Sequence, residues 1–260
     1  MREASRSRTR SEKPTQKRRQ TDTGLISVVI PALNEERSIA LVISDLKVTA
    51  RKANLQLYII VCDNGSTDQT AAVARKAGAL VVQETERGYG AACLKALAHL
   101  PAETEIVLFI DADYSDFPGE FPLLVRPIAD GQADLVIGSR TAAGAVRERG
   151  SLTIQQRFGN WLSTFLIRLL YGQRYTDLGP FRAINVRALQ LLGMRDRNFG
   201  WTVEMQIKAA RLQLRSKEVP VSYRKRIGVS KISGTIKGTI MAGIIILGTI
   251  FREYFTKRDQ

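Results

Sequence analysis

Short apolar runs rich in β-branched residues alternate with helical stretches through the first 140 residues. The runs cover residues 25–30, 57–62, 80–82, 106–110 and 135–137. The first helical stretch has the spacing of one buried helix face, at Ile39, Val42, Ile43 and Leu46. The runs contain almost no polar positions, as expected for strands that are covered on both faces. The pattern predicts an α/β fold, in which helices flank a mostly parallel sheet with right-handed crossovers.

The alternation stops near residue 145, and longer elements follow. Residues 153–171 have the pattern of a helix whose apolar residues lie on one side, namely Phe158, Leu162, Phe165, Leu166 and Leu169. A further helix is predicted over 201–213, and a short strand over 219–223.

The last segment, residues 232–255, is apolar and rich in Ile and Gly. Its uncharged core, 238–251, lies between Lys237 and Arg252 and is shorter than the roughly 20 residues that a spanning helix needs. This favours a helix at a membrane interface, with a helix packed on the domain or in a dimer as the alternative. We therefore predict a tail at 1–24, an α/β domain at 25–231 and a C-terminal apolar or amphipathic helix at 232–260.

The composition adds a strong positive charge to an otherwise ordinary globular chain. The apolar fraction is 44% and the formal net charge is +14. Residues 1–23 hold eight Lys/Arg, three acids and almost no large apolar side chain, which predicts a disordered basic tail. The tail lacks the apolar centre of a signal peptide, so a cytoplasmic protein is expected. The remaining charge suits a nucleic acid, an acidic membrane face or a phosphorylated substrate.

Polar clusters follow four of the predicted strands. They are Pro31-Ala32-Leu33-Asn34-Glu35, the run from Asp63 to Asp68, Asp111-Ala112-Asp113, and Gly138-Ser139-Arg140. Taken alone, Asn34 and Asp68 could cap helices, and the segment from Asp63 could be a turn. Since ligands of open parallel sheets bind beyond the carboxyl ends of the strands, four such clusters together indicate one binding site.

Among these residues, Asp111 and Asp113 give the clearest indication of a specific chemistry. They end a buried strand one residue apart, so continued strand geometry would point both carboxylates to the same side. Two such carboxylates repel each other unless a cation or a proton lies between them. Oxygen ligands suit Mg²⁺ or Mn²⁺, which also takes ligands from substrate phosphates. A solvated loop start is the alternative.

Other kinds of site find little support in the sequence. No GxGxxG follows the first strand and no GxxxxGK[ST] loop occurs. Arg87-Gly88-Tyr89-Gly90 could let a backbone approach a ligand, but the signal is weak. His99 is the only histidine and closes a helix, which argues against a Ser-His-Asp mechanism. Cys62 and Cys93 fit small buried hydrophobes.

The motifs together resemble a known family. VVIPALNEE at 28–36, VCDNGSTDQT at 61–70, FIDADYSDFP at 109–118 and IGSR at 137–140 are similar to family-2 glycosyltransferases of the GT-A fold. TDLGPFRAIN at 176–185, WTVEM at 201–205 and VPVSYRKRIGVSKISG at 219–234 resemble dolichyl- or polyprenyl-phosphate sugar transferases. The resemblance spans about residues 25–250.

This resemblance implies roles for individual residues. Pro31, Ala32, Asn34 and Glu35 would line the nucleotide pocket, with Asp63 reading the base. Asp111 and Asp113, with Ala112 between them, would hold the metal against the donor diphosphate. Arg140, Arg226 and Lys231 would contact phosphates of donor or acceptor. The chain departs from the family at Cys62 and Asn64, where other residues are often found, and at Ser115, where some relatives have a further metal ligand.

The implied reaction moves a hexose, with inversion, from a UDP- or GDP-sugar to a polyprenyl phosphate at an anionic membrane face. An anionic acceptor needs cations more than a general base, and the chain offers Arg140, Arg157, Arg182, Arg224, Arg226 and Lys231. Glu204 could act as a base or orient a basic residue, and a structural ion pair is equally compatible.

Three rival interpretations remain at this stage. The acceptor could be a soluble molecule or a polysaccharide, although no QxxRW motif occurs. The charge alone would suit a nucleic-acid-binding protein, but no binding module or interleaved aromatic residues support one, so no nucleic-acid partner is expected. A sugar-nucleotide-binding scaffold without turnover is the third, and the intact Asp111/Asp113 pair argues against it.

Overall fold

The computed structural model describes the backbone of residues 23–228 and 236–256, and the side chains of 23–228 and 241–255. The predicted tail up to residue 22, and Lys231, lie outside these residues. Within them, seven strands form one sheet: β1 (Leu25–Ala32), β2 (Gln56–Asp63), β3 (Leu80–Gln83), β4 (Thr104–Phe109), β5 (Leu135–Ser139), β6 (Arg182–Asn185) and β7 (Ser216–Pro220).

The sheet is mostly parallel, as the sequence pattern predicts. Its strand order is β3-β2-β1-β4-β6-β5-β7. The first four strands in this order pair in parallel, and β7 pairs in parallel with β5. Only β6, among the described strands, runs antiparallel to its neighbours, β4 and β5. The chain order reverses beside β1, so the ends of β1, β2 and β4 leave a crevice between neighbouring crossovers.

Helices cover both faces of the sheet and complete a three-layer α/β domain. In the described residues they are α1 (Ile39–Ala53), α2 (Thr70–Lys76), α3 (Tyr89–Leu97), α4 (Phe121–Ala129), α5 (Ile154–Tyr171), α6 (Val186–Leu192), α7 (Trp201–Arg211) and α8 (Ile236–Thr256), with a short 3₁₀ helix at Pro118–Glu120. Alternate residues of β1 and β4 enter two separate hydrophobic cores, one on each face. The predicted buried face of α1 is confirmed, since its four residues are fully buried. Cys62 and Cys93 are buried as predicted.

Two strands differ from the sequence-based expectation. Strand β6 was not predicted, because its four residues begin with a buried arginine and show no clear alternation. The predicted strand at 219–223 is shifted, since β7 spans Ser216–Pro220 and Tyr223 makes only isolated bridges. The apolar residues at 219 and 221 suggested the later start, whereas the register of β7 follows its pairing of Leu135 with Ser216.

The C-terminal helix α8 packs on the domain through its second half. Thr249, Ile250 and Glu253 are buried, and the Tyr171 hydroxyl of α5 donates to the Ile250 carbonyl oxygen at 2.8 Å. Arg211 of α7 pairs with Glu253 at 3.1 Å. In the described part of the chain, no helix has both the length and the apolarity to cross a membrane. The predicted domain boundaries stay predictions.

Candidate active site

A cavity opens at the edge of the sheet where the carboxyl ends of β1, β2 and β4 meet. Its volume is about 290 Å³. Seven of the predicted site residues line it: Pro31, Ala32, Glu35, Asp111, Ala112, Asp113 and Arg226. The parallel pairing of β1 with β2 and β4 brings these separate motifs to one place. The cavity is therefore where the sequence predicts the binding of a donor.

The two carboxylates after β4 are held by different neighbours. Asp113 Oδ1 accepts hydrogen bonds from the Ser115 backbone N–H at 2.9 Å and from the Ser115 hydroxyl at 2.6 Å. Asp111 Oδ1 accepts one from the Tyr89 hydroxyl at 3.1 Å. Burial of Tyr89 and the nearby Asp111 raise the pKa of the phenol well above its ordinary value, which keeps it a donor. Both carboxylates are thus oriented by groups that leave other oxygens for the cavity.

The electrostatics of Asp111 fit a bound cation. Burial, and then the Asp113 carboxylate, raise the pKa of Asp111 to about 7, although Tyr89 and two arginines act in the opposite direction. The pair is therefore short of positive charge, as expected for carboxylates that hold a metal. In the described residues, no three His, Cys, Asp or Glu side chains group into a complete metal site. Asp111 and Asp113 would share Mg²⁺ or Mn²⁺ with donor phosphates and water.

Arg226, which is distant in sequence, contacts the carboxylates of Glu35 and Asp113. Its Nη2 lies 2.6 Å from Glu35 Oε1, and its Nη1 lies 3.4 Å from Asp113 Oδ2. The guanidinium therefore bridges the ends of β1 and β4 and places positive charge on the wall of the cavity. The Ser38 hydroxyl donates to the other oxygen of Glu35 at 3.0 Å, which fixes that carboxylate.

The segment 223–227 holds Arg226 in place by lying along the Asp113–Phe117 turn. The Ile227 N–H donates to the Asp113 carbonyl oxygen at 3.0 Å, and the Arg224 N–H to that of Ser115 at 2.9 Å. The guanidinium of Arg224 lies 3.6 Å from the ring centroid of Tyr114 and donates to the Tyr114 carbonyl oxygen at 2.7 Å. Arg224 thus anchors the segment, and Arg226 faces the cavity.

Arg140 lies to one side, outside the lining of the cavity. It binds Asp177 with both Nε, at 2.8 Å, and Nη2, at 2.7 Å, and its guanidinium lies 5.0 Å from the Tyr223 ring centroid. Burial alone would raise the pKa of Asp177, but the ion pair and hydrogen bonds of Arg140 outweigh burial and lower it. Arg140 is therefore a rigid, fully paired cation, and its predicted contact with phosphate stays a prediction.

Asn34 and Asp63 also lie outside the cavity lining. Asn34 has a left-handed backbone with φ of 54°, and its Oδ1 accepts from the Thr67 N–H at 2.7 Å. Asp63 is buried, and its Oδ1 accepts from the Ser66 N–H at 3.2 Å. Both side chains shape the loops after β1 and β2, and their predicted roles toward the nucleotide stay predictions. Asn64, beside Asp63, does line the cavity.

Three lining residues were not predicted from the sequence, namely Ala92, Asn198 and Phe199. Tyr89 belongs to the Arg87–Gly90 segment, which carried only a weak signal. Asn198 and Phe199 come from the loop before α7, which no motif marked. A Cβ on Gly88 or Gly90 would collide with the carbonyl oxygens of Arg197 and Asp196, so glycine is required where this loop meets α3.

Glu204 fastens that loop rather than facing the cavity. Its buried carboxylate accepts from the N–H groups of Arg195, at 3.0 Å, and Asp196, at 2.8 Å, and pairs with Lys208 at 2.7 Å. These contacts support the structural ion pair among the alternatives for Glu204.

Arg182 is likewise structural. It is fully buried and donates to the carbonyl oxygens of Gly179 and Thr202, both at 2.9 Å. Burial lowers the pKa of Arg182 to about 10. Arg182 was one of the cations named from the sequence, and its contacts make it a structural residue at the start of the antiparallel strand β6.

The fold and the site together define a class of protein: a GT-A-like α/β domain with an Asp-x-Asp pair at a nucleotide-sized cavity. The model of Glycosyl transferase family 2 matches residues 27–193. The chain belongs to this family and is a glycosyltransferase.

Relatives of known name agree with this assignment. An uncharacterised glycosyltransferase of Mycobacterium tuberculosis is 37% identical over 84% of this chain and 94% of its own length. A dolichyl-phosphate hexose transferase of Haloferax volcanii is 30% identical, covering 85% of this chain and 92% of the relative. An undecaprenyl-phosphate mannosyltransferase of Micrococcus luteus is 27% identical, covering 87% and 95%.

Solved structures match the fold at lower identity. Glucosyl-3-phosphoglycerate synthase from Mycobacterium tuberculosis, in complex with Mn²⁺, UDP and phosphoglyceric acid, has a TM-score of 0.71 and 23% identity. The match covers 94% of this chain and 84% of that one. At this identity the likeness establishes the GT-A-like fold alone.

Proposed function

We propose that this glycosyltransferase moves a hexose from a UDP- or GDP-sugar to a polyprenyl phosphate, with inversion, at the cytoplasmic face of an anionic membrane. The observation that carries the proposal is the meeting of Asp111, Asp113 and Arg226 in one cavity. The named relatives that act on dolichyl and undecaprenyl phosphate support the lipid acceptor.

The donor would occupy the cavity with its diphosphate near the two carboxylates. A bound Mg²⁺ or Mn²⁺ would supply positive charge against the diphosphate as it leaves. Arg226, 3.4 Å from Asp113 Oδ2, stands where it can turn toward a phosphate oxygen of donor or acceptor. Pro31, Ala32 and Leu33 give the cavity an apolar wall at the end of β1, suited to the flat side of a nucleoside.

The acceptor side needs no general base, because a polyprenyl phosphate is already anionic near neutral pH. Its phosphate oxygen would attack the anomeric carbon as the bond to the β-phosphate breaks, and the nucleoside diphosphate would leave from the opposite face. The single histidine, His99, is exposed at the end of α3 and bonds to the Lys95 carbonyl oxygen. What the protein contributes is position and positive charge, from Arg226 and the anchored Arg224–Ile227 segment.

A soluble phosphorylated acid is the second candidate acceptor. The structural neighbour named above holds phosphoglyceric acid, which is also a small phosphate-bearing molecule. The same arginines could bind either phosphate. The two candidates therefore share a phosphate group and differ in the rest of the acceptor, which is a lipid chain in one and a small organic acid in the other.

An acceptor competition separates these two functions. The full chain is incubated with one labelled nucleotide hexose, Mn²⁺, and equal amounts of a short polyprenyl phosphate and 3-phosphoglycerate. We expect labelled product to partition into the organic phase, and the partition to disappear when the lipid phosphate is left out. Label found mainly in a water-soluble phosphoglycerate product would overturn the lipid assignment.

A further inference from the structure

Helix α5 carries large apolar side chains on the side that faces away from the domain. Its outer stripe, defined as Ile154, Phe158, Trp161, Phe165 and Leu169, is between 47% and 80% exposed. The residues that face inward include the small polar Ser163 and Thr164. The aromatic rings form a ladder, with centroids 5.9 Å apart between Phe158 and Trp161 and 5.8 Å between Trp161 and Phe165. The inward side carries the fully buried Ile167, so α5 is apolar on two sides, whereas an ordinary surface helix exposes its polar side.

The chain segments that contain α5 and most of α8 are rich in Lys/Arg and contain no Asp or Glu. Residues 149–176 contain four arginines and no Asp or Glu. Residues 219–252 likewise contain six Lys/Arg and no acid. They include most of α8, a helix that contacts α5 and exposes Met241 and Ile244. Aromatic rings flanked by arginines suit the boundary between lipid headgroups and acyl chains.

The outer stripe is linked to the active-site edge through Asn160. The Asn160 side chain donates to the Thr176 carbonyl oxygen at 2.9 Å and accepts from the Leu178 N–H at 2.8 Å. Between these two residues lies Asp177, which holds Arg140. A surface that engaged the outer stripe would therefore meet the same side of the domain as Arg140.

We propose that the outer stripe of α5 is a docking surface for a bilayer that contains anionic lipids. The apolar side chains enter the headgroup region, and the flanking arginines meet lipid phosphates. The biological reason for this docking rests on the proposed function, since a polyprenyl phosphate stays in the bilayer. Docking itself does not depend on that function.

A second copy of the chain is the other possible occupant, and the charge pattern disfavours it. A two-fold interface places the same patch of each copy against its mate. It would therefore bring the acid-free, arginine-bearing surface of one copy against the identical surface of the other. Anionic lipid provides the missing complementary charge.

Vesicle binding of the full chain tests this proposal. Wild type, the variant Phe158→Ser/Trp161→Ser/Phe165→Ser, and the control Leu191→Ser are sedimented with phosphatidylcholine vesicles with and without phosphatidylglycerol. Leu191 is 72% exposed on α6, so it controls for loss of an exposed apolar side chain elsewhere. We expect the stripe variant to bind anionic vesicles at least ~10-fold more weakly, and the control to bind like wild type. Equal binding by the stripe variant overturns the proposal.

Tryptophan emission of a further variant provides a second measurement. Trp201 is buried in the core, so the variant Trp201→Phe leaves Trp161 as the remaining tryptophan. We expect the emission of Trp161 to shift to the blue on addition of anionic vesicles, because the ring leaves water. No shift overturns the proposal. A dimer that dissociates in the stripe variant, with vesicle binding unchanged, assigns the stripe to a second copy and overturns it as well.

Transfer assays separate failure of docking from failure of the proposed function. The stripe variant should keep transfer to a short polyprenyl phosphate dispersed in detergent without vesicles, and lose it toward the same headgroup on a long chain in vesicles. Stripe-dependent vesicle binding without transfer to either acceptor supports docking and rejects the lipid acceptor. If the stripe variant loses transfer to both acceptors equally, the docking role of the stripe is rejected.

Discussion

At the scale of residues, the site is a balance of two carboxylates against few positive groups. Asp111 is held by the Tyr89 hydroxyl at 3.1 Å, and Asp113 by Ser115 and more distantly by Arg226. The pKa of Asp111, raised to about 7 by burial and by Asp113, reflects that shortage of positive charge. A divalent cation bound between the two carboxylates would supply the missing positive charge.

Replacing Asp111 or Asp113 by Asn should abolish transfer while the fold is retained. Each substitution removes one anionic ligand, so we expect kcat to fall at least about 100-fold. Initial rates at saturating Mn²⁺, with circular dichroism as the check on folding, measure this. Asp130→Asn, exposed at the end of α4, is the matched control and should keep normal rates. Near-normal transfer by either active-site variant would reject the metal assignment.

Tyr89→Phe should raise the Mn²⁺ concentration that transfer requires, while the aromatic ring stays in the cavity wall. The substitution deletes only the hydroxyl that donates to Asp111, and a hydrogen bond to a charged group makes a difference of about 10-fold. We therefore expect the Mn²⁺ concentration for half-maximal activity to rise by roughly that factor. Tyr58→Phe, on the partly exposed start of β2, is the control. An unchanged Mn²⁺ requirement would show that Tyr89 does not orient Asp111.

Most of the lining residues that were predicted from the sequence directly follow apolar strands, and Arg226 was indicated by the family resemblance. Pro31, Glu35, Asp111 and Asp113 were found because a strand end is visible in the pattern and its place in a parallel sheet is known. Asn198 and Phe199 were not found, because they reach the cavity on a loop more than 80 positions from the Asp pair. Only the packing of that loop on Gly88 and Gly90 reveals them.

At the scale of elements, the loop before α7 depends on one buried carboxylate. Glu204 is fully buried and gathers the N–H groups of Arg195 and Asp196 together with Lys208. The carboxylate thereby fixes the loop next to the place where the loop contacts the start of α3. The position of Asn198 and Phe199 in the cavity wall therefore follows from Glu204.

Glu204→Gln should loosen this loop and lower stability together. One neutral oxygen replaces a carboxylate that serves three donors, so we expect the free energy of unfolding to fall by about 1–3 kcal/mol. The KM for the donor should rise, because two lining residues lose their anchor. Urea unfolding and donor titration measure the two effects, with the exposed Glu103→Gln as control. Unchanged stability in Glu204→Gln would contradict this account of the loop.

Long helices with a regular apolar spacing were predictable from the sequence. A short strand whose position depends on pairing with other strands was not. The helices at 39–53 and 154–171 were indicated by their apolar spacing. The same spacing could not tell that the apolar side of α5 faces solvent, because periodicity gives a face but not its direction. Strand β6 has four residues and owes its place to pairing with both β4 and β5. Such pairing leaves no signal within four positions.

At the scale of the whole molecule, charge and apolar surface are distributed unevenly. The chain carries a formal net charge of +14, and its two long acid-free segments include both α5 and the first part of α8. The catalytic edge of the sheet is joined to α5 through Asn160 and the loop that bears Asp177. The molecule thus combines a cavity that holds two carboxylates after β4 with a helix, α5, that exposes an apolar stripe.

The most direct test of the central claim is the formation of a lipid-linked sugar by the full chain. Labelled UDP- and GDP-hexoses are supplied one at a time with a short polyprenyl phosphate, in Mn²⁺ or in EDTA, for wild type and Asp111→Asn. The account predicts labelled lipid from one donor with wild type in Mn²⁺, and none in EDTA or with the variant. Lipid product that forms equally in EDTA, or donor hydrolysis without any lipid product, would contradict it.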